Sequence, residues 1–508
     1  MKKYLIVFLL FLIQIECIAQ YSRVYESYRK NISRIVEGID TDIIEDEQGK
    51  AYFGSIAWSL DPKQTFNYTF VSKLDRLGNV EWAKPISDTV QEPSIPRLMA
   101  QLRDGRYIVA GRIVQDSFTS NQNWLAFFDG DFNKLDEKIY PVDYDANDLW
   151  SFHQHSDGDL IFCGLSGKYY REFAGGLGWG RAFILCTDSL GEKKWYREFY
   201  DTSRPRDLHW FSHVTEDHLG NIYVCGFNSK AAVTGNRLIV KLNKEGTVLW
   251  YKEIASPGFA NRFMYVQERP DHNMILIGSL FDLQLRSDSV LISIMDPLGN
   301  VLSEFTVPKN YYTAAYWRCR PTIDGNIICA GGLQRNEDPN GNDFRNGFAH
   351  KLNMDGKILW EQEYSAVDSL VELFFNLGLS RDGGFYFGGI SWLPEIYESR
   401  NWLVRVDSNG CLIPGCNPVG ITEKESYPEH YVLAPNPAQE DLYVYSNEYH
   451  YKASEISIFN EWGTQVYSSR IETAYKQKIN LSQFSAGIYY YVIHRANQKL
   501  QSGRFVKI

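Results

Sequence analysis

The 508-residue sequence contains no long run of one charge and, after its first residues, no apolar stretch long enough to cross a bilayer. With a formal net charge of -10 it lacks the basic footprint of a nucleic-acid binder. It has no CxxC pair and no His/Cys cluster with zinc-ligand spacing, and nothing in it implies a metal or a cofactor. Helical periodicity is missing as well. What is abundant is aromatic: Tyr 33, Phe 29 and Trp 13, in a chain that is 44% apolar. That composition suits strands and a large packed core.

The first residues read as an export signal. Lys2 and Lys3 precede the apolar run Tyr4 to Ile13, and Cys17-Ile18-Ala19 places small residues before Gln20, so 1–19 is expected to be removed. A membrane anchor needs about 20 apolar residues, and Gln14 and Glu16 interrupt this run too early. Glu16 also disfavours lipidation at Cys17. In an exported chain, Cys411 and Cys416 around Leu-Ile-Pro-Gly read as a disulfide, two free thiols being the alternative. Cys163, Cys186, Cys225 and Cys329 lie within apolar runs and read as buried small hydrophobes.

A repeat organises the next four hundred residues. Turn residues Asp75, Asp129, Asp188, Asn243, Asp296, Asn353 and Asp407 stand 54, 59, 55, 53, 57 and 54 apart. Each follows an apolar strand, and the pattern continues with two residues, a Gly and usually a Trp. The cleanest copies run Val71 to Trp82, Phe183 to Trp195, Leu238 to Trp250 and Phe348 to Trp360. A second signal precedes each turn: a short strand ending in Gly, as in Leu160 to Gly164 or Ile222 to Gly226, often after an Asp-Gly hairpin turn. Each unit reads as four strands. A unit of this size cannot enclose a core alone, so it must bury its faces on its neighbours. The expected fold is all-β: a seven-bladed β-propeller over 20–416, a linker over 417–431 and a small antiparallel β-sandwich over 432–508.

In the seventh unit Pro414 stands where others carry Trp, which breaks its fourth strand. Residues 21–28 are expected to supply that strand and lock the ring. The repeated Trp residues read as wedge fillers between blades, a ligand platform being the alternative. The long loops gather on one rim. There Tyr169, Tyr170 and Trp179 in loop 165–181 and Arg335 in loop 332–347 are candidate ligand contacts, although such loops can also fold on themselves. Counted from the aromatic that opens each first strand, His153, His213 and Arg320 share an offset, with Gln267 beside them. They form either a polar ring in the channel or a solvated wall. Asp338-x-Asn340-Gly-Asn342-Asp343 lacks the Gly and distal Glu spacing of a calcium loop, and the turn Asp and Asn residues do not match the spacing of a sialidase Asp-box. They read as turn formers whose side chains bond the local backbone.

From Leu433 the sequence alternates with period two over about six short strands. Its marks are Pro435-Asn436-Pro437, Asn460-x-x-Gly463, Ile479-Asn480-Leu481-Ser482, Gly487-Ile488-Tyr489 and the terminal Phe505-Val506-Lys507-Ile508. Together they resemble the type A C-terminal sorting domain of the type IX (Por) secretion system over roughly 432–508. The resemblance implies passage through both membranes, the secretion machinery as partner, and display at the cell surface or release. It casts Pro435, Asn436, Pro437, Gly463, Gly487, Tyr489 and Lys507 as the sorting signal. The propeller is then expected to be a monomeric, non-catalytic binding module for an extracellular glycan or protein, and alternatively a polysaccharide hydrolase or lyase. Deleting the last ten residues should abolish surface display, as read by labelling of intact cells. Undiminished display would refute the sorting role.

Overall fold

The computed structural model describes residues 21–25, 35–59, 67–86, 94–115, 120–142, 144, 146–169, 177–203, 207–230, 234–255, 259–282, 287–307, 313–337, 343–366, 371–393, 398–412, 431–446, 454–471, 476–495 and 498–508. The expected export signal (1–19), the expected linker (417–431) apart from Tyr431, and Tyr170, Pro414 and Cys416 lie outside them. So do the side chains of Tyr169, Trp179 and Arg335. All described elements are strands, and no helix is long and apolar enough to cross a membrane.

The strands form seven antiparallel units around an axis. The innermost, first strands are Ile35–Ile39 continued by Ile44–Glu45, Ser94–Gln101, Ala146–Gln154, Leu208–Glu216, Phe259–Glu268, Thr313–Pro321 and Val371–Leu379. Blade 3 is representative. Ala146–Gln154 pairs with Leu160–Tyr169, then Leu177–Thr187, then Lys193–Phe199, always antiparallel. Single parallel bridges such as Gly180 to Leu208 join neighbouring blades. Among the described residues, blade 7 has three strands of its own. Its fourth is Tyr21–Val24, antiparallel to Glu398–Val406, with Tyr21 opposite Arg405 and Val24 opposite Trp402. The chain is therefore an all-β propeller closed by its own first strand.

The turn residues bond the local backbone. In the third unit Asp188 Oδ1 accepts from Leu190 N and Glu192 N, both at 2.9 Å. The glycine of this turn takes positive φ, as at Gly191 (84°) and Gly246 (78°). The second unit departs from the motif: Asp129 is followed by Gly130, Asp131 and then Phe132, which holds φ 57° where the others have Gly. Its ring compensates by packing on Tyr52 and Tyr107, with centroids 5.0 and 4.7 Å away.

The repeated Trp is an inter-blade latch. Trp195 of blade 3 lies on the turn glycine Gly246 of blade 4, where a Cβ would come within 2.8 Å of the ring. Its indole N–H donates to the Lys244 carbonyl at 3.3 Å. Trp250 does the same to Gly299 and the Pro297 carbonyl (3.1 Å), and Trp360 to Gly410 and the Ser408 carbonyl (3.2 Å). At the joint between blades 7 and 1 the N-terminal segment takes over. Tyr25 Oη donates to the Gly78 carbonyl at 3.1 Å, and Arg23 to Asn79 Oδ1 at 2.8 Å.

One cysteine reading is corrected. Cys329 is not a free buried hydrophobe: it forms a disulfide with Cys319, which faces it across the first two strands of blade 6. Cys163, Cys186 and Cys225 are free and buried. Cys411 is disulfide-bonded to a partner outside the described residues.

The strand-ending glycines have a steric cause. In blades 2 to 7 the first strand carries a bulge at Arg97, Trp150, Ser212, Met264, Trp317 and Phe375. Each bulge sits beside a residue paired with Gly111, Gly164, Gly226, Gly278, Gly331 or Gly389. A Cβ at Gly164 would overlap the Asp148 carbonyl, and one at Gly226 the Trp210 carbonyl. Gly164→Ala should therefore cost about 2 kcal/mol or more. Gly130→Ala, with open space around its Cβ, should be nearly neutral. Thermal melts of both variants check the assignment, and equal melting points would sink it.

Candidate functional site

The bulges feed the axial channel. A bulge adds one residue to a strand and re-aims its side chain, so Arg97, Trp150 and Trp317 enter the channel wall. The residue after the bulge is also set inward, and in blade 6 that is Arg318. Its Nη1 donates to the Trp150 carbonyl of blade 3 at 2.8 Å and its Nη2 to the Arg97 carbonyl of blade 2 at 3.3 Å. Blades 6 and 3 lie across the ring from one another, so Arg318 spans the channel and plugs it.

Around this plug lies an ion-pair network. Asp42 of blade 1 meets Arg318 Nε at 3.3 Å and Arg320 Nη2 at 2.7 Å. Arg97 meets Asp40 at 3.6 Å and Asp148 at 3.5 Å. Arg112 meets Asp148 at 3.3 Å. On the long-loop side of the plug, Trp150 and Trp210 contact each other with centroids 4.5 Å apart, and the Arg97 guanidinium lies 5.5 Å over the Trp150 ring. Both residues are partly exposed, with their indole nitrogens buried. The vestibule thus has a charged floor and an aromatic wall.

His153, His213 and Arg320 do not form one ring. His153, Gln267 and Arg320 do share a level, opposite Ile161, Ile275 and Ile328 in their hairpins. His213, opposite Cys225, sits two positions earlier, level with Ser151, Tyr265 and Arg318. The cause is the bulge. Trp150 and Trp317 are themselves the bulged residues, whereas Trp210 precedes its bulge at Ser212 by two, so equal counting from Trp mis-sets the register. His153 pairs with Glu216 at 3.2 Å, and His213 packs on Tyr265 with centroids 4.5 Å apart. Arg318, Arg97, Arg112, Asp40, Asp42 and Asp148 escaped the sequence reading, because only a pairing across the ring brings them together.

Most of the residues expected to form the sorting signal converge on the last strand. The four-stranded sheet of the C-terminal module orders 465–471, 454–459, 487–495 and 498–507, and packs on a three-stranded sheet over Leu442, Ile456, Ile493 and Phe505. Asn436, between Pro435 and Pro437, accepts from Val506 N at 2.9 Å. Gly487 pairs with Lys507, and Tyr489 stacks on Phe505 with centroids 5.5 Å apart. Gly463 stands apart, in the turn made by Asn460.

Two groups in the channel titrate in opposite senses. Desolvation raises the Asp40 carboxyl from 3.8 to about 6, Asp148 adding to it while Arg97 and Arg112 oppose it. The folded chain holds this proton more tightly than the unfolded one. Its stabilising contribution is therefore complete below about pH 4 and lost as pH rises to about 6. Burial first, then Arg318 and Arg320, push His213 down from 6.5 to about 3. It stays neutral with Nδ1 accepting from Val266 N at 3.4 Å. That contribution is present above pH 6.5 and lost as pH falls towards 3. Melting curves against pH should show Asp40→Asn flattened between pH 4 and 6, and His213→Asn flattened below 6.5. Profiles parallel to wild type in both variants would contradict the assignment.

Comparison with known proteins bears on the two modules differently. Residues 432–507 match the family model of the secretion system C-terminal sorting domain. No curated protein matches the chain. Solved structures of similar shape include a protein of unknown function from Dyadobacter fermentans, 13% identical over 64% of this chain and 98% of its own, with a TM-score of 0.41. Another is the β-propeller domain of the Trilobed protease from Pyrococcus furiosus, 11% identical over 77% and 98%, with a TM-score of 0.42. A third is the NanB sialidase from Streptococcus pneumoniae, 8% identical over 72% and 85%, with a TM-score of 0.43. The sorting module marks proteins exported by type IX secretion, so this chain is a propeller destined for the cell surface or the extracellular space.

Proposed function

We propose that the exported propeller is a non-catalytic binding module, and that it takes an extracellular glycan on the long-loop side of its channel. The observation that carries this reading is the pairing of the channel carboxylates. Asp40 faces Arg97, Asp42 faces Arg318 and Arg320, and Asp148 faces Arg97 and Arg112. Glycoside hydrolysis needs two carboxyl groups free to act on opposite faces of one bond, whereas these are committed to arginine. The adjoining Trp150 and Trp210 offer the flat apolar surface on which a sugar ring stacks, and arginine forks suit hydroxyl and carboxylate acceptors.

One observation favours the second reading, a polysaccharide hydrolase or lyase. Asp40, raised to about 6, has an affinity for its proton that suits a general acid. A glycan array with the full chain, followed by a reducing-end assay on each hit, separates the two. Binding without turnover, weakened at least tenfold by Trp150→Ala and by Trp210→Ala in folded protein, is the expected result. Turnover lost in Asp40→Asn would replace it with the second reading. Unchanged binding in both tryptophan variants would refute the vestibule as the site.

A further inference from the structure

The tight turns on the opposite rim follow a common plan, and one blade breaks it. The fourth residue of the turn after each first strand is Gly49, Gly105, Gly158, Gly220, Gly325 or Gly383, with φ of 73°, 87°, 99°, 79°, 75° and 86°. In blade 5 the same place is taken by His272, with φ 64°. Histidine tolerates a left-handed conformation better than most side-chain-bearing residues, yet less readily than the glycine of the other six turns.

A second regularity fixes what His272 faces. The last residue of a first strand accepts the backbone N–H of the second turn residue of the preceding blade. Gln154 Oε1 accepts from Arg103 N at 3.0 Å, Glu216 Oε2 from Ser156 N at 2.8 Å, and Glu45 Oε2 from Arg381 N at 2.6 Å. At the joint of blades 4 and 5 the pair is Glu268 Oε2 and His218 N at 2.7 Å. The fold thus anchors one oxygen of Glu268 and aims the other at the rim. In the preceding joint that second oxygen, Glu216 Oε1, is taken by the Ser156 hydroxyl at 2.5 Å. Here it meets two imidazoles. His218 Nδ1 lies 2.5 Å and His272 Nδ1 3.2 Å from Glu268 Oε1, and the two rings are 3.8 Å apart.

We propose that His218, Glu268 and His272 form a binding site for a transition-metal dication of the zinc type. Their donor atoms all lie within 4.8 Å of one another. Zinc bonds of about 2.0–2.2 Å in a tetrahedron set donors about 3.3–3.6 Å apart, so small side-chain rotations suffice. Two imidazoles and one carboxylate are a donor set for zinc, nickel or copper rather than for calcium or magnesium. The side chains of His218 and His272 are 43% and 58% exposed, which admits the ion and leaves water to complete its shell. Arg269, next to Glu268 in the chain, is held by Asp271 at 3.1 Å and Asp355 at 3.0 Å, and Lys241 by Asp217 at 3.2 Å. The site lies on the rim away from the Trp150 vestibule and does not depend on the glycan reading.

The test titrates untagged full chain with Zn²⁺, and separately with Ca²⁺, by calorimetry and by thermal melting. Wild type should bind one zinc tightly and melt higher with it, with no response to calcium. His272→Gly restores the residue that the other six blades use. It should therefore melt no lower than wild type without metal, yet bind zinc at least thirtyfold more weakly. Glu268→Gln keeps the acceptor that Gln154 provides in blade 3, and should weaken zinc while leaving the apo protein folded. Absence of zinc binding in wild type, an equal response to calcium, or undiminished binding by folded His272→Gly would each overturn the site.

Discussion

A bulge pressed against a glycine, repeated round the ring, is the constraint on which the rest of this molecule depends. Antiparallel strands tolerate an extra residue only by bringing the bulged backbone close to the partner strand, and at Gly164 and Gly226 that approach leaves no room for a Cβ. The scaffold therefore fixes the glycine and leaves the bulged side chain unspecified. Arg97, Trp150, Ser212, Met264, Trp317 and Phe375 occupy equivalent places with no common chemistry. Variation is concentrated at the axis, where it can serve recognition, while the strands around it stay regular.

The charge distribution follows the same division. A chain with net charge -10 gathers Arg97, Arg112, Arg318 and Arg320 about its axis, opposite Asp40, Asp42 and Asp148. Buried ion pairs of this kind are a poor source of stability, because desolvation cancels much of their attraction. Their value lies in position. Arg318 ties the carbonyls of blades 2 and 3 to blade 6 and sets the depth to which anything can enter.

The parts legible in the sequence were those written locally. Asp188 with Gly191 specifies its turn within a few residues, and Trp195 stands at a fixed distance from that turn, so both the unit and its count could be read. Even the outer strand from the chain start announced itself through Pro414. The illegible parts depend on register or on meetings round the ring. His213 was set two positions out because the bulge falls after Trp210 but at Trp150. Cys329 looked like one more apolar-run cysteine, since Cys319 becomes its neighbour only when the hairpin forms. Phe132 broke the turn motif, yet its compensation comes from Tyr52 and Tyr107 in neighbouring strands. His218 and His272 are unremarkable fifty-odd residues apart, and only the joint between two blades gives them a common carboxylate.

The strand Tyr21–Val24 has a consequence beyond completing a blade. Outer strands elsewhere face solvent: Val301–Thr306 is exposed throughout, and Lys193–Phe199 mixes Lys, Arg and Glu with aromatics. The strand that Tyr21–Val24 covers is apolar like the third strands of the other blades, and Trp402, Leu403 and Val404 are wholly buried. Peeled open, it would present an apolar edge with unsatisfied backbone donors, a template for any extended chain nearby. The four residues that close the ring are thus also a stopper against strand exchange. Without them the last blade would end on Glu398–Val406 with its backbone edge open.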